Sequence, residues 1–228
     1  MIPLKDTVPV TRTPYVNYGL IALNVAVFLY QLSLGEQLTD FVYAYGLIPF
    51  RFLQMVPRDP GELLTPLSAM FLHGGWAHLL GNMLYLHIFG DNIEDRLGHG
   101  RYLLFYLACG VLSFLAQIAF QPHSMVPNVG ASGAIAGLLG AYFLLFPRAR
   151  VLTLLPLLFF FPLVEIPAFF FLGIWFLVQF LSGASTIGRT SALTGGVAWW
   201  AHIGGFLVGM FLLKLLLPRD SARRPFVL

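Results

Sequence analysis

The sequence predicts an all-α polytopic membrane protein, and three observations carry that prediction. Its 228 residues are 58% hydrophobic and only 10% charged, against about 45–50% and about 25% in soluble domains. Charges interrupt the chain at intervals of about 20 residues, the length of a membrane-spanning helix. Those charges fall almost entirely in loops and tails, with a net charge of +3. So few charges do not cover the surface of a soluble fold of this length. A single cysteine, Cys109, excludes a disulfide scaffold. The basic balance fits residues flanking spans better than a nucleic-acid surface, so no nucleic-acid partner is expected.

Taken in order, residues 1–14 hold Lys5 and Arg12 and no A-x-A-like cleavage site, and read as an N-terminal segment before an uncleaved anchor. Six spans follow: Tyr15–Leu34, His73–Phe89, Tyr102–Phe120, Ala131–Phe146, Pro167–Leu181 and Ala198–Leu217. Together, residues 15–217 form one membrane domain, and 218–228 a short basic tail. The first loop, Gly35 to Leu72, is too long for a simple connector and mixes aromatics with proline, so it is expected to rest in the membrane interface. Val151–Phe161 is apolar, but Pro156, Pro162, Glu165 and Pro167 break the stretch. It reads as a connecting or partly inserted segment. Ser182 to Val197 is rich in Ser, Gly and Thr and is expected to be mobile. No internal repeat supports a transporter.

Basic residues orient the spans. One side collects Lys5, Arg12, Arg96, Arg101, Arg148, Arg150, Lys214, Arg219, Arg223 and Arg224; the other holds only Arg51, Arg58 and Arg189. Both termini are therefore expected in the cytoplasm of a cell whose plasma membrane the chain crosses. Spans two, four and six then begin near the external face.

Polar residues within spans are costly and point to function. His73, His78, Asn82 and His87 fall in the second span, Ser132 in the fourth and His202 in the sixth. At 1.5 Å per residue, most of these lie roughly 5–15 Å below the external surface. Ser132 sits in Gly130-Ala131-Ser132-Gly133, followed by Gly137 and Gly140; Gly205 and Gly209 follow His202. The glycines read as small-residue packing faces, which bring spans four and six together with Ser132 and His202 at one level. A neutral imidazole beside a serine hydroxyl is the base that makes it a nucleophile. No carboxylate lies at that depth, so the pair is a dyad. His78 and Asn82, one turn apart, are donors for an oxyanion, as are the N–H groups opening span four; for Asn82 an interhelical polar staple fits equally well. His87 faces elsewhere. Without a nearby carboxylate or cysteine, His73, His78 and His202 are not expected to bind a metal.

These motifs closely resemble the rhomboid family of intramembrane serine proteases, over about Tyr45 to Met210. The matching residues are His73-x4-His78-x3-Asn82, Glu94-Asp95-Arg96-Leu97-Gly98, Gly130-Ala131-Ser132-Gly133 and Ala201-His202-x2-Gly205-x3-Gly209, in family order. The resemblance implies a six-transmembrane-helix rhomboid-like bundle with a long interfacial first loop. It implies Ser132 as nucleophile and His202 as general base, with His78, Asn82 and the Ser132 N–H as the oxyanion hole. It further implies that His73 helps organise the polar cavity and that Glu94 supports the loop structure around the second span. The implied partners are transmembrane protein substrates in the lipid bilayer, cut through an acyl-enzyme without a cofactor, from a cavity open to the external side. The implied first loop is a partly submerged hairpin, and the fifth loop and helix gate substrate entry. Two positions depart from the family: Ala136 stands where many members carry an aromatic, and Leu64-Thr65-Pro66 lacks the Trp-Arg pair of many first loops. An inactive rhomboid-like protein that binds membrane clients is the alternative expectation.

Overall fold

Helices occupy all six apolar stretches of the chain. A computed structural model describes residues 1–156, 160–187 and 197–218. The long helices are α1 (Tyr15–Ser33), α5 (Trp76–Leu97), α6 (His99–Phe120), α7 (Ser132–Leu145), α8 (Ala168–Ala184) and α9 (Trp199–Leu216). By length and composition, α1, α6 and α9 are long and apolar enough to cross a membrane, and α7 and α8 are shorter apolar helices. The 22-residue α5 carries Asp91, Glu94, Asp95 and Arg96 in its last two turns. Three short helices, α2 (Leu38–Tyr45), α3 (Pro49–Met55) and α4 (Thr65–Ala69), with two single 3-10 turns, fold the first loop. The bundle is mostly helical and consistent with a rhomboid-like membrane fold. The fifth loop and the basic tail lie mainly outside the described residues.

The expectation of an all-α chain needs correction. Strands β1 (Ile2–Asp6), β2 (Arg150–Leu154) and β3 (Leu163–Pro167) form an antiparallel sheet in the order β1-β2-β3. Val151–Leu154 is thus strand, part of the connection between α7 and α8. The prolines at 156, 162 and 167 prevent a helix, so this backbone satisfies its polar groups through neighbouring strands. Side chains alternate accordingly, with Val151 and Thr153 buried and Arg150 exposed. The register shifts between Pro3 and Lys5, because Pro3 has no N–H for the ladder.

The sheet joins the bundle near the start of α1. The Tyr142 hydroxyl of α7 donates to Asp6 Oδ2 at 2.5 Å, and Thr11 Oγ1 donates to Asp95 at 2.7 Å. Beside them, the buried Glu94 carboxylate accepts from the N–H groups of Val16 and Asn17 at 3.0 and 2.7 Å, capping α1. A carboxylate there satisfies the free donors and complements the positive helix end. Asn17 is locked in turn by donating to Leu86 O and accepting from the Tyr102 hydroxyl. Glu94 therefore ties the α1 entrance to the turn after α5, where it also contacts His99 Nδ1 at 2.5 Å.

At the other end, the first loop is stitched to the segment before α7. Leu47 and Asn128 exchange backbone hydrogen bonds of 3.1 and 2.7 Å, and Gly130 N–H donates to Ala69 O at 2.8 Å. Arg51 pairs with Glu62 at 2.8 Å and donates to the carbonyls of Tyr43 and Gly46. It closes the end of α2 against α3, in a loop without a Trp-Arg pair.

Helix α7 packs against α9 backbone to backbone. A Cβ on Gly205 would strike the Gly133 carbonyl, one on Gly209 the Gly137 carbonyl, and one on Gly140 the Phe206 carbonyl, each closer than real Cβ atoms approach. Gly133 and Gly137 also face Ser113 and Cys109 of α6. Such contacts suit lipid, where close packing replaces the hydrophobic effect between helices.

Gly209→Ala is accordingly expected to lower stability by about 1–3 kcal/mol, since neither backbone can yield as a side chain would. Gly173→Ala, with nothing within 4 Å of its Cβ position, is expected to leave the thermal midpoint in detergent unchanged or raised. Burial pushes the Asp6 carboxyl up to about 6. Its protonated form is favoured by the fold, so this contribution is complete below about pH 4 and lost as pH rises through about 6. Thermal unfolding is expected to show a fall over that window that is absent in Asp6→Asn.

Candidate active site

Ser132 opens α7, directly after the Gly130-Ala131 turn that the first loop holds through Ala69 O. Gly130 has φ +123°, a conformation natural only to glycine. As the first residue of a helix, Ser132 has an N–H without an intrahelical acceptor, at the positive end of the α7 dipole. His202 lies in the first turn of α9. The glycine contacts between α7 and α9 bring the two together: His202 Nε2 lies 2.7 Å from Ser132 Oγ. Both residues are partly exposed, so the pair is accessible.

The second helix borders this pair. Gly74 N–H donates to His78 Nδ1 at 3.3 Å, which leaves the proton of the neutral ring on Nε2. That Nε2 points at Gly130: a Cβ built there would lie 2.7 Å from His78 Nε2 and 3.5 Å from Asn82 Nδ2. Two side-chain donors thus flank the turn leading into Ser132. Asn82 Nδ2 also lies 3.0 Å from His73 Nε2. His73, expected within the second span, lies three residues before α5, because Gly74 and Gly75 delay the helix. It remains buried. Both its backbone groups pair with the Gln31 side chain of α1: His73 N–H donates to Gln31 Oε1 at 3.0 Å, and Gln31 Nε2 donates to His73 O at 3.2 Å. His87 lies away from the site and stacks on Tyr18.

Several residues of this site escape sequence reasoning. His202 Nδ1 lies 2.8 Å from Gln179 Oε1 of α8. Trp175, one turn earlier on α8, sits beside the same imidazole at a centroid separation of 6.1 Å, and Trp199 at 6.2 Å. Ala136 is fully buried next to Gly205 and offers no ring to the histidine. Gln117 of α6 accepts from Ala201 N–H at 3.2 Å, fixing the opening turn of α9. The available signal is an uncharged amide in each of three apolar helices. Among the described residues, no three His, Cys, Asp or Glu side chains converge where a metal ion could be held.

A hydroxyl hydrogen-bonded to an imidazole, at a helix N-terminus and beside further N–H donors, has the parts needed for acyl transfer. Comparison with known proteins gives the family. The family model for the Rhomboid domain matches residues 60–219. The chain is 37% identical over 129 residues to Rhomboid protease GluP of Bacillus subtilis, covering 56% of this chain and 24% of that protein. It is 30% identical over 199 residues to the mitochondrial Rhomboid protein 1 of Saccharomyces cerevisiae, covering 85% and 51%. It is also 29% identical over 177 residues to Inactive rhomboid protein 1 of Papio anubis, covering 77% and 18%. The chain spans about half or less of the length of each of these relatives. Since the matched region runs from the first loop through α9 and holds every residue of the site except Gln31, this membrane protein belongs to the rhomboid family.

Proposed function

We propose that the chain is an intramembrane serine endopeptidase that cuts transmembrane or membrane-proximal segments of other proteins with a Ser132–His202 dyad. The observation that carries this reading is the 2.7 Å contact between Ser132 Oγ and His202 Nε2 across 70 positions of sequence. Ser132 Oγ attacks the scissile carbonyl while His202 Nε2 takes its proton. The oxyanion that forms is met by the Ser132 N–H and by His78 and Asn82. His202 then passes the proton to the leaving amine as the C–N bond breaks, leaving an acyl-enzyme on Ser132. Water, deprotonated by the same Nε2, attacks the ester and releases the second product. His73 holds Asn82, and Gln31 holds His73, so the donors are fixed before substrate arrives.

The six-span arrangement belongs to this proposal, with both termini on the cytoplasmic side of the plasma membrane and the cavity opening externally. The charge distribution supports the sidedness, and two sets of contacts support an even number of crossings between touching loops. Pairing of β1 with β2 and the Thr11–Asp95 bond join the N-terminal segment to the second and fourth loops. The Leu47–Asn128 exchange joins the first and third loops beside Ser132. Both fit an even number of crossings between the loops that touch. The similarity to an inactive rhomboid favours a second reading, a client-binding protein without turnover. The intact dyad favours the protease.

Reconstituted enzyme is expected to cleave a transmembrane substrate, and Ser132→Ala or His202→Ala to lower kcat at least about 10³-fold. Undiminished cleavage by Ser132→Ala would falsify the mechanism, and client binding without cleavage or fluorophosphonate labelling would favour the second reading. Asn82→Ala and His78→Ala are each expected to cost about 10²-fold in kcat, as removal of one oxyanion donor does. An undiminished kcat in either variant would take that residue out of the oxyanion hole.

A further inference from the structure

The hydrogen bond from His202 to α8 bears on which nitrogen of the ring acts. A neutral imidazole carries one proton, and the nitrogen that holds it is set by the partner of the other nitrogen. Gln179 presents its carbonyl oxygen, which accepts only, to Nδ1 at 2.8 Å. Nδ1 must then hold the proton, and Nε2 keeps its lone pair toward Ser132 Oγ at 2.7 Å. With the amide placed as it is, the opposite tautomer would turn an N–H toward the serine and set the Gln179 oxygen against the bare Nδ1 lone pair, an acceptor facing an acceptor. The same helix also flanks the ring, because Trp175 stands one turn before Gln179 and lies 6.1 Å from the imidazole, with Trp199 of α9 at 6.2 Å. From α7 nothing comparable reaches the ring, since residue 136 is alanine.

We infer that Gln179 is the positioning residue of the dyad: with Trp175 it holds His202 in the tautomer and rotamer that accept the Ser132 proton. This inference rests on the protease reading and adds a third, uncharged member that acts through the histidine. Placement on α8 makes the base dependent on a helix other than the two that carry the dyad. While α8 lies against α9 the histidine is set; separation of the two helices breaks the bond and frees the ring. Gln117 has a separate task, because it accepts from the Ala201 backbone and touches neither nitrogen of His202.

The test uses the full chain reconstituted with a cleavable transmembrane substrate. Gln179→Leu keeps the size and suits an apolar helix but removes the acceptor. It is expected to lower kcat roughly 10- to 100-fold with KM within about twofold, because the base remains but its productive tautomer is depopulated. Gln179→Glu keeps an acceptor oxygen and is expected to recover most of that loss. Nitrogen-15 spectra of imidazole-labelled protein are expected to show the His202 proton on Nδ1 in the wild type and a shift toward Nε2 in Gln179→Leu. Wild-type kcat in Gln179→Leu, or a wild-type proton on Nε2, overturns the inference. Wild-type protein that neither cleaves nor reacts with a fluorophosphonate overturns the protease reading instead, while the spectra still report the tautomer.

Discussion

The site depends on the absence of three side chains. At Gly140, Gly205 and Gly209, α7 and α9 touch through backbone atoms, and a Cβ on any of the three would strike the facing helix. Ser132 and His202 sit at the start of these two helices, so the interaxial distance sets their separation. A hydrogen bond of 2.7 Å between short side chains is reached only when the backbones are this close. Small residues therefore serve packing and chemistry at once. In lipid, where apolar side chains gain little by burial against one another, such a contact is also a main source of helix association.

Around that contact, uncharged amides arrange the remaining groups. Gln31 grips the backbone of His73, Asn82 meets the His73 ring, Gln179 meets His202, and Gln117 holds the first turn of α9. An amide both donates and accepts, so it joins backbone or ring groups of either polarity without bringing a formal charge into the bundle. The buried formal charge appears instead at the opposite end, where Glu94 caps α1. Paired polar groups of this kind favour one arrangement of a bundle over others.

Much of the site is legible in the amino-acid sequence, for a physical reason. Ser132, His202, His78 and Asn82 stand out because polar residues in apolar helices are expensive, and their motifs appear in a recognisable order. Gln179 and Gln31 carry the same signal, but each belongs to no motif that names its partner. Gln179 meets His202 only once α8 has packed on α9, which sequence does not display. The sheet is hidden for a related reason. Strand β1 pairs with a segment about 145 residues away, and five-residue strands bounded by prolines leave a weak periodic signal. His73 reads as part of the second helix because hydropathy runs through Gly74 and Gly75, whereas backbone preference delays the helix start.

The neutral partner of His202 also bears on biogenesis. At 17 residues, α8 has little apolar length to spare for entering a bilayer. An aspartate at position 179 would add about 2.5–3.5 kcal/mol to the cost of inserting that helix near its centre. Glutamine brings no formal charge into that helix and still supplies the acceptor once α9 arrives. The same choice that forgoes a charged third member therefore makes α8 easier to insert than an aspartate at that position would.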